Sequence, residues 1–443
     1  MFQRLTLAFL SLLFTASVFA QDATDLERRL RELEQTVARM QQTPELAEIR
    51  RQIEVLAGEI EQLKNRQSEK AVVADTQQMG LGAAASKVYR ADEGVSLGGY
   101  GEFLYQNVAG SNDAGGRVST RDNVDALRAV LYSGYKFNER ILFNSEIEFE
   151  HGSTGAGGEV SVEFAYLDFL ARENLGVRAG LVLVPMGFVN EQHEPTAYLG
   201  SRRPLVERVI IPATWREMGV GLFGEAGQIS WRGYLTNGMN AARFTSGGIR
   251  SGRGNGAQAL AEDFALTGRV DWQPLVGTTL GGAFYSGNTG QGALVNNQQL
   301  EARLTMFDVH AEARFRGVQL RGVWTQGTLD DAAQVNRLNN LTGANSVGEE
   351  FGGWYAEAGY DLASLGAFGE RSITPFVRYE RFNTQESVPT GFSLNRALDQ
   401  AVTTFGVQWK PIAQTVIKAD YQNVDNEAGT GTNQWNLAIG YIF

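Results

Sequence analysis

Between residues 185 and 213 the chain carries Glu191, His193, Glu194, Arg202, Arg203, Glu207 and Arg208, with Arg216 just beyond. A guanidinium presents a planar fork of donors that suits carboxylate and phosphate oxygens, so the chemistry on offer is anion binding. Further basic residues fall on strand-like segments at inward-facing positions: Arg128, Arg178, Arg232, Arg269, Arg314, Arg321, Arg378 and Lys418. A ladder of fixed positive charge raises the local anion concentration and lowers the barrier to anion passage. The competing expectation is that these bases neutralise inward acids such as Glu146, Glu148, Glu312, Glu357 and Asp420.

Other patterns offer chemistry only on paper. Gly219-x-Gly221-x-x-Gly224 matches a dinucleotide fingerprint, yet it sits within an alternating strand and no helix follows. Glu146, Glu148 and Glu150 share one strand rather than flanking a substrate. His151, His193 and His310 are scattered without ligand spacing, so neither a metal nor another cofactor is expected. His151 with Ser153 is slender support for a hydrolase triad, and no enzyme is expected.

The elements that must position these residues come in two kinds. Arg4 is followed by "LTLAFLSLLFTASV" and then Val18-Phe19-Ala20, which predicts a signal peptide over 1–20. Residues 21–66 read as a helical coiled coil. Leu26, Leu30, Leu33, Val37 and Met40 form one heptad seam, and Ile49, Ile53, Leu56, Ile60 and Leu63 a second, with Thr43-Pro44-Glu45 between them. Seams this short need partner chains, which predicts a homo-oligomer. Residues 67–93, with "GLGAAASK", read as a flexible linker.

From 94 to 443 the pattern changes to an alternation with a period of two. The chain holds 52 Gly, 9 Pro and no Cys, and no apolar run long enough for a membrane helix follows the signal peptide. Sixteen segments of strand length are predicted: 95–106, 123–137, 140–151, 159–171, 175–184, 214–225, 228–237, 263–272, 278–286, 307–316, 317–326, 351–361, 371–382, 401–410, 413–423 and 432–443. Their connections alternate between short turns and long stretches rich in Gly, Asn and Asp. In "FALTGRVDW", Leu266, Val270 and Trp272 oppose Thr267, Arg269 and Asp271. Apolar residues outward and charged residues inward predict an all-β fold: a sixteen-stranded antiparallel transmembrane barrel around a lumen that holds water. An even strand count puts both ends on one side and the coiled coil in the periplasm. The net charge of −11 and the lack of a basic run exclude a nucleic-acid partner.

The stretch "LGVRAGLVLVPMGFVNEQHEPTAYLGSRRPLVERVIIPATWREMGVGLFGEAG" resembles the phosphate-selective porin O and P family of outer-membrane porins. The resemblance covers 95–443, although the second strand, "ALRAVLYSGY", holds a single Arg128. It implies a trimer, a loop after the fifth strand that folds inward as a pore constriction with Arg202, Arg203, Arg208, Arg216 and His193, and an aromatic insertion signal at Phe443. The expected function is passive diffusion of small hydrophilic solutes across the outer membrane, with preference for anions such as phosphate or small carboxylates. Alternatives are a non-selective porin, or a tether whose coiled coil engages a periplasmic partner while the barrel anchors it among outer-membrane lipids.

Overall fold

The computed structural model describes residues 28–29, 31–32 and 79–443, apart from 153–154, 156, 173 and 367–370. The chain divides into two compact units, Met1–Thr76 and Gln77–Phe443. In the first unit Arg28, Arg29, Arg31 and Glu32 are helical and exposed, and Arg28 pairs with Glu32 at 3.1 Å, one turn away. The predicted signal peptide and the rest of the predicted coiled coil lie outside the described residues.

The second unit is a closed barrel of sixteen antiparallel strands. They are β1 (Gly94–Val108), β2 (Asn123–Asn138), β3 (Ile141–Glu150), β4 (Val160–Arg172), β5 (Leu175–Leu183), β6 (Arg216–Ala226), β7 (Ile229–Asn237) and β8 (Phe264–Trp272). The other half comprises β9 (Thr278–Gly287), β10 (Leu304–Phe315), β11 (Val318–Leu329), β12 (Glu350–Tyr360), β13 (Ser372–Ser387), β14 (Asp399–Ile412), β15 (Thr415–Asn426) and β16 (Gln434–Ile442). Each strand pairs with its neighbours in sequence, and β16 closes on β1 with Phe103 opposite Ile439 and Tyr105 opposite Leu437. Phe443 and Gly99 extend this seam by exchanging main-chain hydrogen bonds of 2.9 and 3.0 Å. Closure leaves the barrel itself without an edge strand.

The strand ends divide the barrel into a short-turn end and a long-loop end. Between β10 and β11, Arg316 (φ 47°) and Gly317 (φ 85°) both take the left-handed conformation that a tight two-residue hairpin demands. The outward face is apolar: Leu266, Val270 and Trp272 of β8 are exposed while Thr267, Arg269 and Asp271 are buried. Trp324, Trp354, Trp409 and Trp435 also point outward. Such a band is stable only against lipid.

The interior is partly filled by the loop that follows the fifth strand. Residues 184–215 leave β5, enter the barrel and carry the short helix α2 (Leu205–Val209). Val184, Met186, Phe188, Val206, Ile210 and Trp215 pack there against Tyr285, Met306, Phe351 and Tyr355 of the wall. Some inward strand positions are therefore apolar, and a loop of matching character covers them. Polar anchors fix its course. Asn190 Nδ2 donates to Val184 O (2.6 Å) and Trp215 O (2.8 Å), stapling the loop's two ends, while Glu380 accepts from the amides of Leu205 (2.7 Å) and Val206 (3.4 Å) at the start of α2.

Of the stretch 67–93 read as a linker, residues 79–93 are described. From Met79 onward it lies inside the short-turn end of the barrel, where Leu81, Ala83, Ala84, Ala85 and Val88 are buried and a one-turn helix, α1, spans Lys87–Arg90. Small residues that suggest flexibility in isolation here permit close packing against Glu194 and a wall of aromatic rings.

Candidate functional site

At the long-loop end a cavity of about 450 Å³ opens between the inner loop and the wall formed by β1, β2 and β3. Five arginines line it, Arg128, Arg202, Arg203, Arg208 and Arg250, against three carboxylates, Glu102, Asp125 and Glu150. Arg128 reaches in from β2, with Nε 3.4 Å from Glu102 and 3.2 Å from Glu148. Arg203 Nη2 donates to the His193 carbonyl (3.2 Å) and the Tyr100 hydroxyl (3.4 Å). Arg250 comes from the β7–β8 loop and donates to the carbonyls of Arg208 and Ala213.

The loop that presents Arg202 is held from behind. Lys418 donates to the carbonyls of Tyr198 (2.8 Å) and Gly200 (2.9 Å), Asp420 accepts from the Ser201 amide, and Arg378 donates to the Arg202 carbonyl at 3.3 Å. The guanidinium groups of Arg202 and Arg208 have neither a hydrogen-bond acceptor nor an ion-pair partner among the described residues. Arg202 is half-buried and Arg208 exposed to the cavity. Burial and the neighbouring Arg208 lower the Arg202 pKa to about 10, and burial with Arg128 and Arg203 lowers that of Arg208. Burial is the larger cause of both shifts and the neighbouring guanidinium groups add to it, and Arg202 keeps its proton at neutral pH. The cavity's acids are largely committed: Tyr198 donates to Glu102, and His151 Nδ1 sits 2.7 Å from Asp125.

The remaining basic residues singled out from the sequence do not meet at this cavity. Arg216 pairs with Glu163 at 2.9 Å, and His193 Nε2 lies 2.9 Å from Glu146. Arg178 pairs with Asp168 at 2.8 Å, Arg232 with Glu191 and with Asp271 at 3.2 Å, and Arg269 with Asp271 at 2.8 Å. Arg314 and Arg321 share Glu312, each at 2.9 Å, while Arg378 bridges Glu357 and Glu380, each at 3.1 Å. Lys418 spends its donors on main-chain carbonyls and sits over the Tyr198 ring at 3.8 Å. The strand arginines are thus tied to acids rather than forming a continuous free basic path, and register brings several of these partners together. Asp168 stands opposite Arg178, Glu312 opposite Arg321 and Glu357 opposite Arg378 across adjacent strands. Arg250 was not singled out from sequence, because it lies in a Gly-rich loop with no periodicity; its neighbour Arg253 in "RSGRGNG" was the available signal.

No family model matches the chain. An uncharacterized protein of Aquifex aeolicus is 35% identical over 379 residues, covering 82% of this chain and 83% of that protein. The chain belongs to the family of that Aquifex protein. Among solved structures, the outer membrane channel DcaP of Acinetobacter baumannii is similar with a TM-score of 0.50 at 13% identity, covering 79% of this chain and 97% of that one. An anion-selective porin from Comamonas acidovorans is similar with a TM-score of 0.48 at 12% identity, covering 79% and 99%. The fold shared with DcaP is a closed antiparallel β-barrel. The phosphate-selective family suggested by the sequence is not reached by these comparisons.

Proposed function

We propose that the protein is an outer-membrane porin that passes small hydrophilic solutes by diffusion and favours anions such as phosphate or small carboxylates. In this reading the short-turn end and the N-terminal segment face the periplasm, the long loops face outward, and the barrels assemble as trimers. The observation that carries it is the pair Arg202 and Arg208. They face the outer cavity without a counter-ion while the strand arginines deeper in the barrel are paired with acids. An unpaired guanidinium attracts anions yet, facing water, holds them weakly enough to release them, which conduction requires.

The test is the reversal potential in a planar bilayer under a KCl gradient, with phosphate and succinate as competitors. A chloride-selective potential that shifts toward zero in Arg202→Ala/Arg208→Ala is expected. An unchanged potential in that variant would sink the role given to these residues and leave a non-selective porin. The packed interior favours one other reading, a barrel that serves mainly to anchor the N-terminal segment, and absence of conductance in every variant would select it.

A further inference from the structure

Residues 80–91 cross the short-turn mouth from β7 to β1. Gly80 lies against the Arg232 guanidinium of β7, where an added Cβ would stand 2.9 Å from Cζ, and Lys136 of β2 donates to the Ala91 carbonyl at 2.9 Å. The segment is held without joining the barrel's ladders: among the described residues, the main-chain to main-chain hydrogen bonds of 82–91 run within the segment itself. Its attachments are made through side chains. Glu194 Oε1, on the inner loop, accepts from the amides of Ala84 (2.9 Å) and Ala85 (3.0 Å). Asn144 donates to the Ala85 carbonyl at 3.0 Å, and the Tyr89 hydroxyl donates to Asp168 at 2.6 Å while accepting from Arg178 at 2.7 Å. Leu81 and Ala83–Ala85 rest on a patch that includes Tyr132, Phe164 and Tyr166.

Two features distinguish this from fixed core. The pairing of β1 begins at Gly94, so lifting the segment breaks none of the barrel's strand pairs. Beside it, a second cavity of about 310 Å³, bounded by Met79 and Gly80 on one side and Arg269, Gln273 and Thr279 on the other, opens at the same end. The segment therefore sets the width of that mouth.

We propose that residues 80–91 are a removable plug of the short-turn mouth, latched to the inner loop by Glu194, and that its displacement opens the barrel to larger flux. The proposal rests on the channel reading above. It adds a gate to a pore otherwise treated as permanently open, and the gated path runs beneath the Arg202 and Arg208 cavity.

The chain has no cysteine, so a tether can be installed cleanly. A Cβ at Gly134 of β2 would lie 2.8 Å from that of Val88, inside the usual disulfide separation of about 3.8 Å, and a small shift allows closure. Single-channel conductance would be compared for wild type, Glu194→Ala, and Val88→Cys/Gly134→Cys in the Glu194→Ala background, with retarded mobility of unheated protein on gels confirming folded barrels. Glu194→Ala should conduct severalfold more than wild type; the oxidised double-cysteine form should return to the wild-type level, and reductant should restore the larger conductance. An internal deletion of 80–91 should match the unlatched state. Equal conductance in all folded forms would overturn the plug and leave the porin reading standing. No conductance in any folded form would overturn both.

Discussion

Five guanidinium groups around one cavity repel each other, and their neighbours decide which of them can serve a passing solute. Arg128 is spent on Glu102 and Glu148, and Arg203 and Arg250 on carbonyls, which leaves Arg202 and Arg208 facing the cavity. Arg202→Lys separates charge from shape: the point charge remains but the planar fork is lost. The reversal potential should keep its sign, while phosphate should block chloride current less effectively than in wild type. Glu194 works differently, because it is buried. Burial pushes its carboxyl up to about 7, against the amides of Ala85 and Ala84 and against His193, which pull it down. Glu146 of β3 and Tyr132 of β2 face it as acids, and Lys87 and Arg90 of the plug as bases. With the plug displaced, Glu194 is solvated and regains an ordinary carboxylate pKa. The seated state therefore binds the proton more tightly, and release becomes easier as pH rises from about 4.3 toward neutrality. Conductance should climb through that interval and level off above it. Glu194→Gln, which keeps an acceptor for both amides, should give a flat profile.

At the scale of elements, the strands were legible in the sequence because their constraint is local. A period of two with an apolar outer face is written residue by residue, and "FALTGRVDW" displays it without reference to any neighbour. The inner loop was legible as a charged insertion after the fifth strand, and it does fold inward. What the sequence could not display is which inward charge meets which, since the pairing of Glu357 with Arg378 depends on the register of two strands. Nor could "GLGAAASK" announce a plug: it has no periodicity, and its place is set by Glu194 far along the chain. Lys418 illustrates the same point. Its position suggested a step in an anion path, whereas its ammonium clamps the loop that carries Arg202. Lys418→Met should therefore cost roughly 1–3 kcal/mol of stability through the orphaned carbonyls. That loss should appear in denaturant unfolding from lipid vesicles even when selectivity is read separately.

The barrel wall carries apolar surface on both of its sides, for two different reasons. Outside, lipid covers the band that includes Trp324, Trp354 and Trp435. Inside, the chain covers part of its own wall, and Trp215 is the largest side chain buried in that interior, packed against Tyr285 with ring centroids 4.5 Å apart. A barrel with a water-filled lumen derives its stability from strand pairing and the lipid face, so an inward-loop side chain there contributes little. In this barrel the loop between β5 and β6 is part of a packed core, and removing its largest member leaves a void lined by apolar side chains. Trp215→Ala should accordingly cost about 3–5 kcal/mol, the range for truncating a buried aromatic ring. The comparison that makes this decisive is Trp324→Ala on the outward face, where lipid flows into the vacated space and the loss should be smaller. Equilibrium unfolding of both variants in the same vesicles measures the difference, and equal losses would mean that the interior is not packed as a core.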